Sequence, residues 1–229
     1  YPVAGMPTTP ESRGAPSVLW IQLDALSTQR VVRYLPRTWN LLRRIGFVFN
    51  NTSVMGRNSE PNIAVQVPNP MLWNVANKER MVTSIMEEFC HGMCEYYPFK
   101  HHRVCENLMC QYGSDVENLY HQNPKPGCYH GEFFSKNMYR YIKQMWDDAY
   151  PGKRKFHLAS DYGGHMVRRQ RYTVQQHDDL LADFLPGFLE QHPNTAVVLS
   201  SDHGLHYSGT EPGGDPNQKF NRFVAGSFE

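Results

Sequence analysis

Two apolar runs stand out along the chain, and both lead into an acid. Val18-Leu19-Trp20-Ile21-Gln22-Leu23 runs into Asp24, and Thr195-Ala196-Val197-Val198-Leu199-Ser200-Ser201 runs into Asp202-His203-Gly204. Short apolar runs rich in β-branched and aromatic residues predict buried strands. Between them, extended runs alternate with stretches that repeat every three to four residues. Ser27 caps a predicted helix through Val31, Val32, Leu35, Trp39, Leu42 and Ile45, which Pro36 kinks or breaks and Gly46 ends. Phe47-Val48-Phe49 starts a second strand. Pro61 to Val67 forms a short helical segment, stopped by Pro68 and Pro70. Phe134, Met138, Tyr141, Ile142 and Met145 share one helix face. Phe156-His157-Leu158-Ala159-Ser160 is a third strand that ends at Asp161. Val174, Leu181, Phe184, Leu185 and Phe188 mark the last helix, with Pro186 inside its pattern. Helices between extended apolar runs predict a largely parallel sheet.

At 229 residues the chain is long enough to bury one sizeable core. Residues 1–16, rich in Pro, Gly and Thr, read as an arm or linker, and 17–229 as one α/β domain. The net charge of +1 leaves no bulk field that would gather nucleic acid or an anionic membrane. No apolar run approaches the roughly 18 residues of a membrane span. The first residue is Tyr, and Asn221 to Glu229 reads as a cut end, so the chain is expected to belong to a longer protein.

Cys90, Cys94, Cys105, Cys110 and Cys128 fall close together, among His91, His101, His102, His121 and His130. This segment, about 68–130, shows little periodicity and reads as a loop-rich insert. Disulfides fit it better than a zinc site, because the spacings lack the close Cys-x-x-Cys pairs of zinc ribbons. Zinc and free thiols stay open as alternatives. Asn50-Asn51-Thr52 and Asn51-Thr52-Ser53 are glycosylation triplets, which points to a secreted or lumenal setting.

Four strand-end positions supply oxygen or nitrogen donors: Asp24, Ser59, Asp161 with His165, and Asp202 with His203. In open α/β sheets, ligands collect beyond the carboxyl ends of the strands. Mixed carboxylate and imidazole donors suit zinc or manganese, and carboxylates alone suit magnesium or calcium. One or two divalent ions there would support displacement at a phosphate or sulfate ester. Each position also has a plainer reading. Asp24 and Ser59 could serve as helix caps. Asp202-His203 and Asp161-His165 could be polar turns. His177, Asp178 and Asp179 read as a solvated helix face, and Lys153-Arg154-Lys155 as protection of a sheet edge. Arg168, Arg169 and Arg171 fit an anion site or a solvated loop equally well.

Taken in order, Val-Leu-Trp-Ile-Gln-Leu-Asp24-Ala-Leu-Ser, Leu35-Pro36-Arg37-Thr38, Asn58-Ser59-Glu60-Pro61-Asn62 and Ser201-Asp202-His203-Gly204 resemble the alkaline phosphatase superfamily, in its sulfatase-like branch of uncharacterised function. The resemblance covers about 17–67 and 128–209. It implies a three-layer α/β/α sandwich with a mostly parallel central sheet, to which this chain adds the Cys/His-rich insert. It also implies a metal-dependent hydrolase or transferase acting on phosphate, less readily sulfate, esters. By that resemblance Ser59 is the nucleophile, where the branch usually has Thr. From the residues themselves, Asp24, Ser59, Asp202 and His203 are expected to hold one metal, and Asp161 and His165, four apart, to serve an outer one, with His165 assisting departure; the outer pair differs from the branch's usual pattern. Ile63 stands where arylsulfatases need Arg for a formylglycine, so a plain serine is expected. His206 occupies a position where the branch has Arg. The expected partner is an anionic ester, such as a glycan or lipid head group. The rival reading is an inactive sulfatase-like recognition module that makes contacts through the insert.

Overall fold

The computed structural model describes residues 10–11, 14–49, 52–56, 59–66, 71–87, 102–103, 128–129, 132–161, 171–204 and 223–227. The strands are β1 (Ser17–Leu23), β2 (Phe47–Val48), β3 (Val82–Glu87), β4 (His102–Arg103), β5 (Cys128–Tyr129), β6 (Glu132–Phe133), β7 (Lys155–Asp161), β8 (Thr195–Ser200) and β9 (Val224–Ser227). The helices are α1 (Thr28–Tyr34), α2 (Pro36–Ile45), α3 (Ser59–Gln66), α4 (Met71–Lys78), α5 (Phe134–Gln144) and α6 (Arg171–Gln191). A π-helical turn, Met145–Ala149, continues α5.

Seven strands form one sheet in the order β2-β9-β8-β1-β7-β3-β4. β8, β1, β7, β3 and β4 run parallel, and β9 lies antiparallel against both β8 and β2. β1 shows why the sheet carries helices on both faces. Leu19, Ile21 and Leu23 point to one side and join the core beneath α1, α2, α5 and α6. Val18 and Trp20 point to the other side, against Trp73 of α4 and Ile63 of α3. This period of two puts apolar groups on both faces, as a doubly covered strand requires. Leu19, Ile21 and Leu23 are essentially inaccessible, and each contributes about 2 kcal/mol by leaving water. The result is a three-layer α/β/α sandwich with a mostly parallel sheet.

Pro36 breaks the predicted long helix in two, at Leu35. Pro lacks an N–H and forbids helical continuity with the preceding turn, yet it suits a helix start. The N-cap of α2, Leu35, offers no side-chain acceptor. Asp178 of α6 supplies it instead, accepting from Arg37 N at 2.9 Å and Thr38 N at 2.7 Å. Pro186 is tolerated within α6. It lies on the exposed side, where water can satisfy the carbonyl it leaves free.

Three expectations change. The segment read as a loop-rich insert contains α4 and β3, and β3 is wholly buried between β7 and β4. Its run Val-Thr-Ser-Ile-Met-Glu hides among polar residues because those residues find internal partners. Thr83 Oγ1 donates to Asn77 Oδ1 at 3.2 Å, and Ser84 Oγ shares a 2.6 Å hydrogen bond with His157 Nδ1. His177 and Asp178 are buried rather than solvated, since α6 packs that face against α2 and the end of β7; Asp179 is exposed, as expected. Lys155 opens a central strand, not an edge, and is fully buried. Its Nζ donates to Lys153 O at 2.7 Å, lies 3.8 Å from Glu11 Oε1 and sits 5.2 Å over Trp146. Burial pushes its pKa down to about 8, against the pull of Glu11 and Asp147. Cys90, Cys94, Cys105, Cys110 and the side chain of Cys128 lie outside the described residues, as do the glycosylation asparagines Asn50 and Asn51.

Candidate metal centre

β1 and β8 are neighbours and parallel, so their carboxyl ends open at the same edge. Asp24 follows β1 directly, and Asp202 and His203 follow β8 after Ser201. One donor atom from each of Asp24, Asp202 and His203 lies within 4.8 Å of the other two, and all three residues are buried. His203 Nε2 is 3.8 Å from Asp24 Oδ1 and 3.4 Å from Asp202 Oδ2. Ser59, the first residue of α3 and half-buried, brings its Oγ to 3.4 Å from the same nitrogen. Asp24, Asp202 and His203 therefore come together from distant segments, with Ser59 beside His203.

Hydrogen bonds fix what each atom can do. His203 Nδ1 lies 2.8 Å from the Gly204 carbonyl. A carbonyl only accepts, so Nδ1 carries a proton, and in the ring's neutral form the lone pair lies on Nε2, toward the carboxylates and Ser59. Asp202 divides its two oxygens. Oδ1 accepts from Ala25 N at 3.1 Å and His203 N at 2.7 Å. Oδ2 is buried, accepts no hydrogen bond among the described residues and faces His203 Nε2. Burial first, and the Asp202 carboxylate next, push Asp24 well above the ordinary carboxylate range, with His203 pulling the other way. Two buried carboxylates and an imidazole lone pair in one place are costly together without a cation. The donor set of two oxygens and one nitrogen fits a divalent ion.

The turns behind these ligands are stitched to one another. Leu26 N donates to Ser201 Oγ at 2.9 Å, and Ser201 Oγ donates to His203 O at 2.7 Å. Phe223, just before β9, donates its N–H to Leu26 O at 3.2 Å and accepts from Ser201 N at 2.7 Å. Asn62 of α3 ties that helix to the turn before it, a role the sequence did not reveal. Asn62 Oδ1 accepts from Met55 N and Gly56 N, and Nδ2 donates to Gly56 O at 3.0 Å. Gly56 is needed there, because a Cβ would collide with the ring of Pro61. The signal was the Asn three residues after Ser59, a spacing that returns a side chain toward the start of its own helix.

Asp161 ends β7 at the same edge but belongs to a different group. Its Oδ2 lies 3.2 Å from His177 Nδ1 and 3.5 Å from Tyr139 OH, and its Oδ1 accepts from Ser135 Oγ at 3.4 Å. The metal-type cluster among the described residues contains Asp24, Asp202 and His203, without Asp161. His165, His206, Arg168 and Arg169 lie outside the described residues, as does the side chain of Arg171.

No family model matches the sequence, and a search of curated proteins finds no match. Solved structures do match. A protein in the alkaline phosphatase superfamily from Vibrio parahaemolyticus superposes with a TM-score of 0.64 at 12% identity, over 96% of this chain and 62% of its own. The chain has the alkaline phosphatase superfamily fold. The C-terminal periplasmic domain of EcEptC from Escherichia coli, in complex with zinc, matches with a TM-score of 0.67 at 13% identity, over 98% of this chain and 77% of that one. The C-terminal periplasmic domain of the phosphoethanolamine transferase EptC from Campylobacter jejuni matches with a TM-score of 0.60 at 9% identity, over 93% and 79%. The chain thus spans less than two thirds of the Vibrio protein. Among the described residues no helix is long and apolar enough to cross a membrane.

Proposed function

We propose that this chain carries the active centre of a metal-dependent hydrolase or transferase that acts on phosphate esters, with Ser59 as nucleophile. The observation that carries this reading is the approach of Ser59 Oγ to a buried Asp24, Asp202 and His203 group at the carboxyl edge of a parallel sheet. Asp24 and Asp202 would hold a divalent ion through carboxylate oxygens and His203 through Nε2, with Ser59 completing the set. Zinc is favoured by the mixed donors and by the zinc complex of a structure with the same fold. Bound there, the ion supplies positive charge where an anionic ester and a serine oxygen both concentrate negative charge.

The chain's own residues do the rest. Asn62 and Pro61 hold the start of α3 so that Ser59 Oγ faces the site. The N-terminal end of that helix adds a favourable field for an anion. Ser59 Oγ gives up its proton to solvent and bonds to phosphorus as the bond to the ester oxygen breaks, that oxygen leaves with a proton of its own, and the phosphoryl group rests on serine until water or an acceptor hydroxyl takes it. His165 is assigned to the departing oxygen. Asp161 is omitted from the ion's ligands, because its carboxylate is committed to His177, Ser135 and Tyr139. Phosphate is favoured over sulfate because Ile63 replaces the arginine that a formylglycine site requires. The substrate class is a glycan or lipid head group on the extracytoplasmic side, in keeping with the periplasmic and phosphoethanolamine transferase neighbours. The rival reading, a recognition module without turnover, expects ligand side chains scattered over the surface, and their convergence weighs against it.

The test is metal content of the purified protein, followed by turnover of an aryl phosphate against an aryl sulfate. Wild type should release phenol from the phosphate, and Ser59→Ala should lower kcat by about a thousandfold or more, as removal of a nucleophile does. Ser59→Ala should still bind zinc, more weakly, because Asp24, Asp202 and His203 remain. Equal turnover by the two proteins would end the serine mechanism.

A further inference from the structure

Arg30 is the third residue of α1, and it is fully buried. A guanidinium stays charged, so burying one is costly unless carbonyl or carboxylate acceptors hold it. Its backbone N–H serves the start of α1 by donating to Ser27 Oγ at 3.3 Å. Any residue but proline would do that equally well, so the helix start does not explain the side chain. The guanidinium instead reaches back past the helix, and Nη1 donates to the Ala25 carbonyl at 3.2 Å.

Ala25 is an unusual residue to find at the other end of that bond. Its φ is +57°, in the left-handed region that residues with a Cβ rarely adopt. Left alone, it would relax to a negative φ. It is gripped on both sides: its N–H donates to Asp202 Oδ1 at 3.1 Å, and its carbonyl accepts from Arg30. The residue before it is Asp24, whose own N–H is pinned to the Asp161 carbonyl at 2.8 Å. Asp24 therefore sits between a fixed strand end and a strained turn. A change of φ at Ala25 re-aims the chain just after the Asp24 carboxylate and pulls on the Asp202 contact at the same time.

We propose that Arg30 is a positioning residue, which holds Ala25 in its left-handed conformation and so keeps the Asp24 carboxylate within reach of the ion shared with Asp202 and His203. The inference rests on the metal-centre reading above and adds to it a residue that touches neither ion nor substrate. It makes a specific demand. Glycine adopts a positive φ without strain, so Ala25→Gly should make the clamp largely unnecessary.

The experiment measures zinc affinity by calorimetry, with thermal melting alongside, for the purified wild type, Arg30→Met, Arg30→Lys, Ala25→Gly and the Arg30→Met/Ala25→Gly double variant. Arg30→Met should bind zinc about tenfold or more weakly, the range seen when a group that orients a ligand is lost. Arg30→Lys, which keeps a donor, should fall between. Ala25→Gly alone should bind like wild type, and in the double variant it should restore most of the lost affinity. Leu35→Ala, a core truncation away from the turn, serves as control: it should lower the melting temperature and leave zinc affinity unchanged. If Arg30→Met does not fold, the Arg30→Lys pair, with and without Ala25→Gly, carries the same comparison. A folded Arg30→Met or Arg30→Lys protein with wild-type affinity, or a loss that Ala25→Gly does not repair, overturns the role of Arg30 alone. A wild type that binds no divalent ion overturns the metal-centre reading and this inference with it.

Discussion

Asp202→Asn separates the two jobs of one carboxylate. The amide is nearly isosteric, and its Oδ1 can still accept from Ala25 N and His203 N, so the turn after β8 keeps its frame. The charge facing His203 and Asp24 is lost. Two ionised carboxylate oxygens about 4.8 Å apart, the outer bound of this cluster, repel by about 3.5 kcal/mol at an effective dielectric constant of about 20. A proton on Asp24, whose pKa burial and Asp202 both raise, relieves part of that repulsion. The net gain expected for the chelator-treated protein is thus about 1–3 kcal/mol. For a chain of this length it should raise the melting temperature by roughly 2–12 °C. Zinc affinity should move the opposite way, down by at least about a hundredfold, because loss of outer-shell partners alone costs about 10–100-fold. Scanning calorimetry with chelator and titration with zinc read the two effects separately. A variant that melts lower than wild type under chelator, or that binds zinc undiminished, would refute the idea that Asp24 and Asp202 share one field.

Two further outcomes follow from buried groups. Asp178→Ala should remove about 3 kcal/mol from the urea unfolding free energy, because it strips two amides at the start of α2 of a charged acceptor; Asp178→Asn should lose less, and an unchanged midpoint would mean that water caps α2. The folded-state pKa of Lys155, about 8, lies below its ordinary 10.5, so between those values the unfolded chain holds the proton and the folded one does not. Stability should therefore rise with pH across that window, and Lys155→Met should flatten the rise; denaturation midpoints near pH 7.5 and pH 10 compare the two.

The parts of the fold and site that could be read from the residues share one property: local order along the chain already encodes them. β1 and β8 are apolar runs that stop at an acid, and a parallel strand delivers its next residue to the carboxyl edge. Ser59 was visible through the Pro and Asn that follow it. β3 escaped because Thr83, Ser84 and Glu87 interrupt its apolar pattern, and their partners Asn77 and His157 cannot be known before the chain folds. Asp178 and His177 escaped for the same reason, since a helix pattern shows a polar face but not the amides of α2 or the carboxylate of Asp161 that will cover it. Lys155 misled because basic residues usually guard sheet edges. Ala25 gave no sign of its backbone angle, and its partners Asp202 and Arg30 are known only once the chain has folded.

The seam that ties Leu26, Ser201 and Phe223 together has a consequence for the timing of assembly on the ribosome. Ala25 and Asp202 are 177 positions apart, and the strand that closes the seam begins later still, at Val224. A nascent polypeptide threads out in order, and contacts of such long range form last. While the N-terminal half is emerging, Asp24 has no Asp202 or His203 to meet. The Asp24, Asp202 and His203 group is therefore completed only after translation has passed His203, and the seam behind it only after Phe223 has emerged.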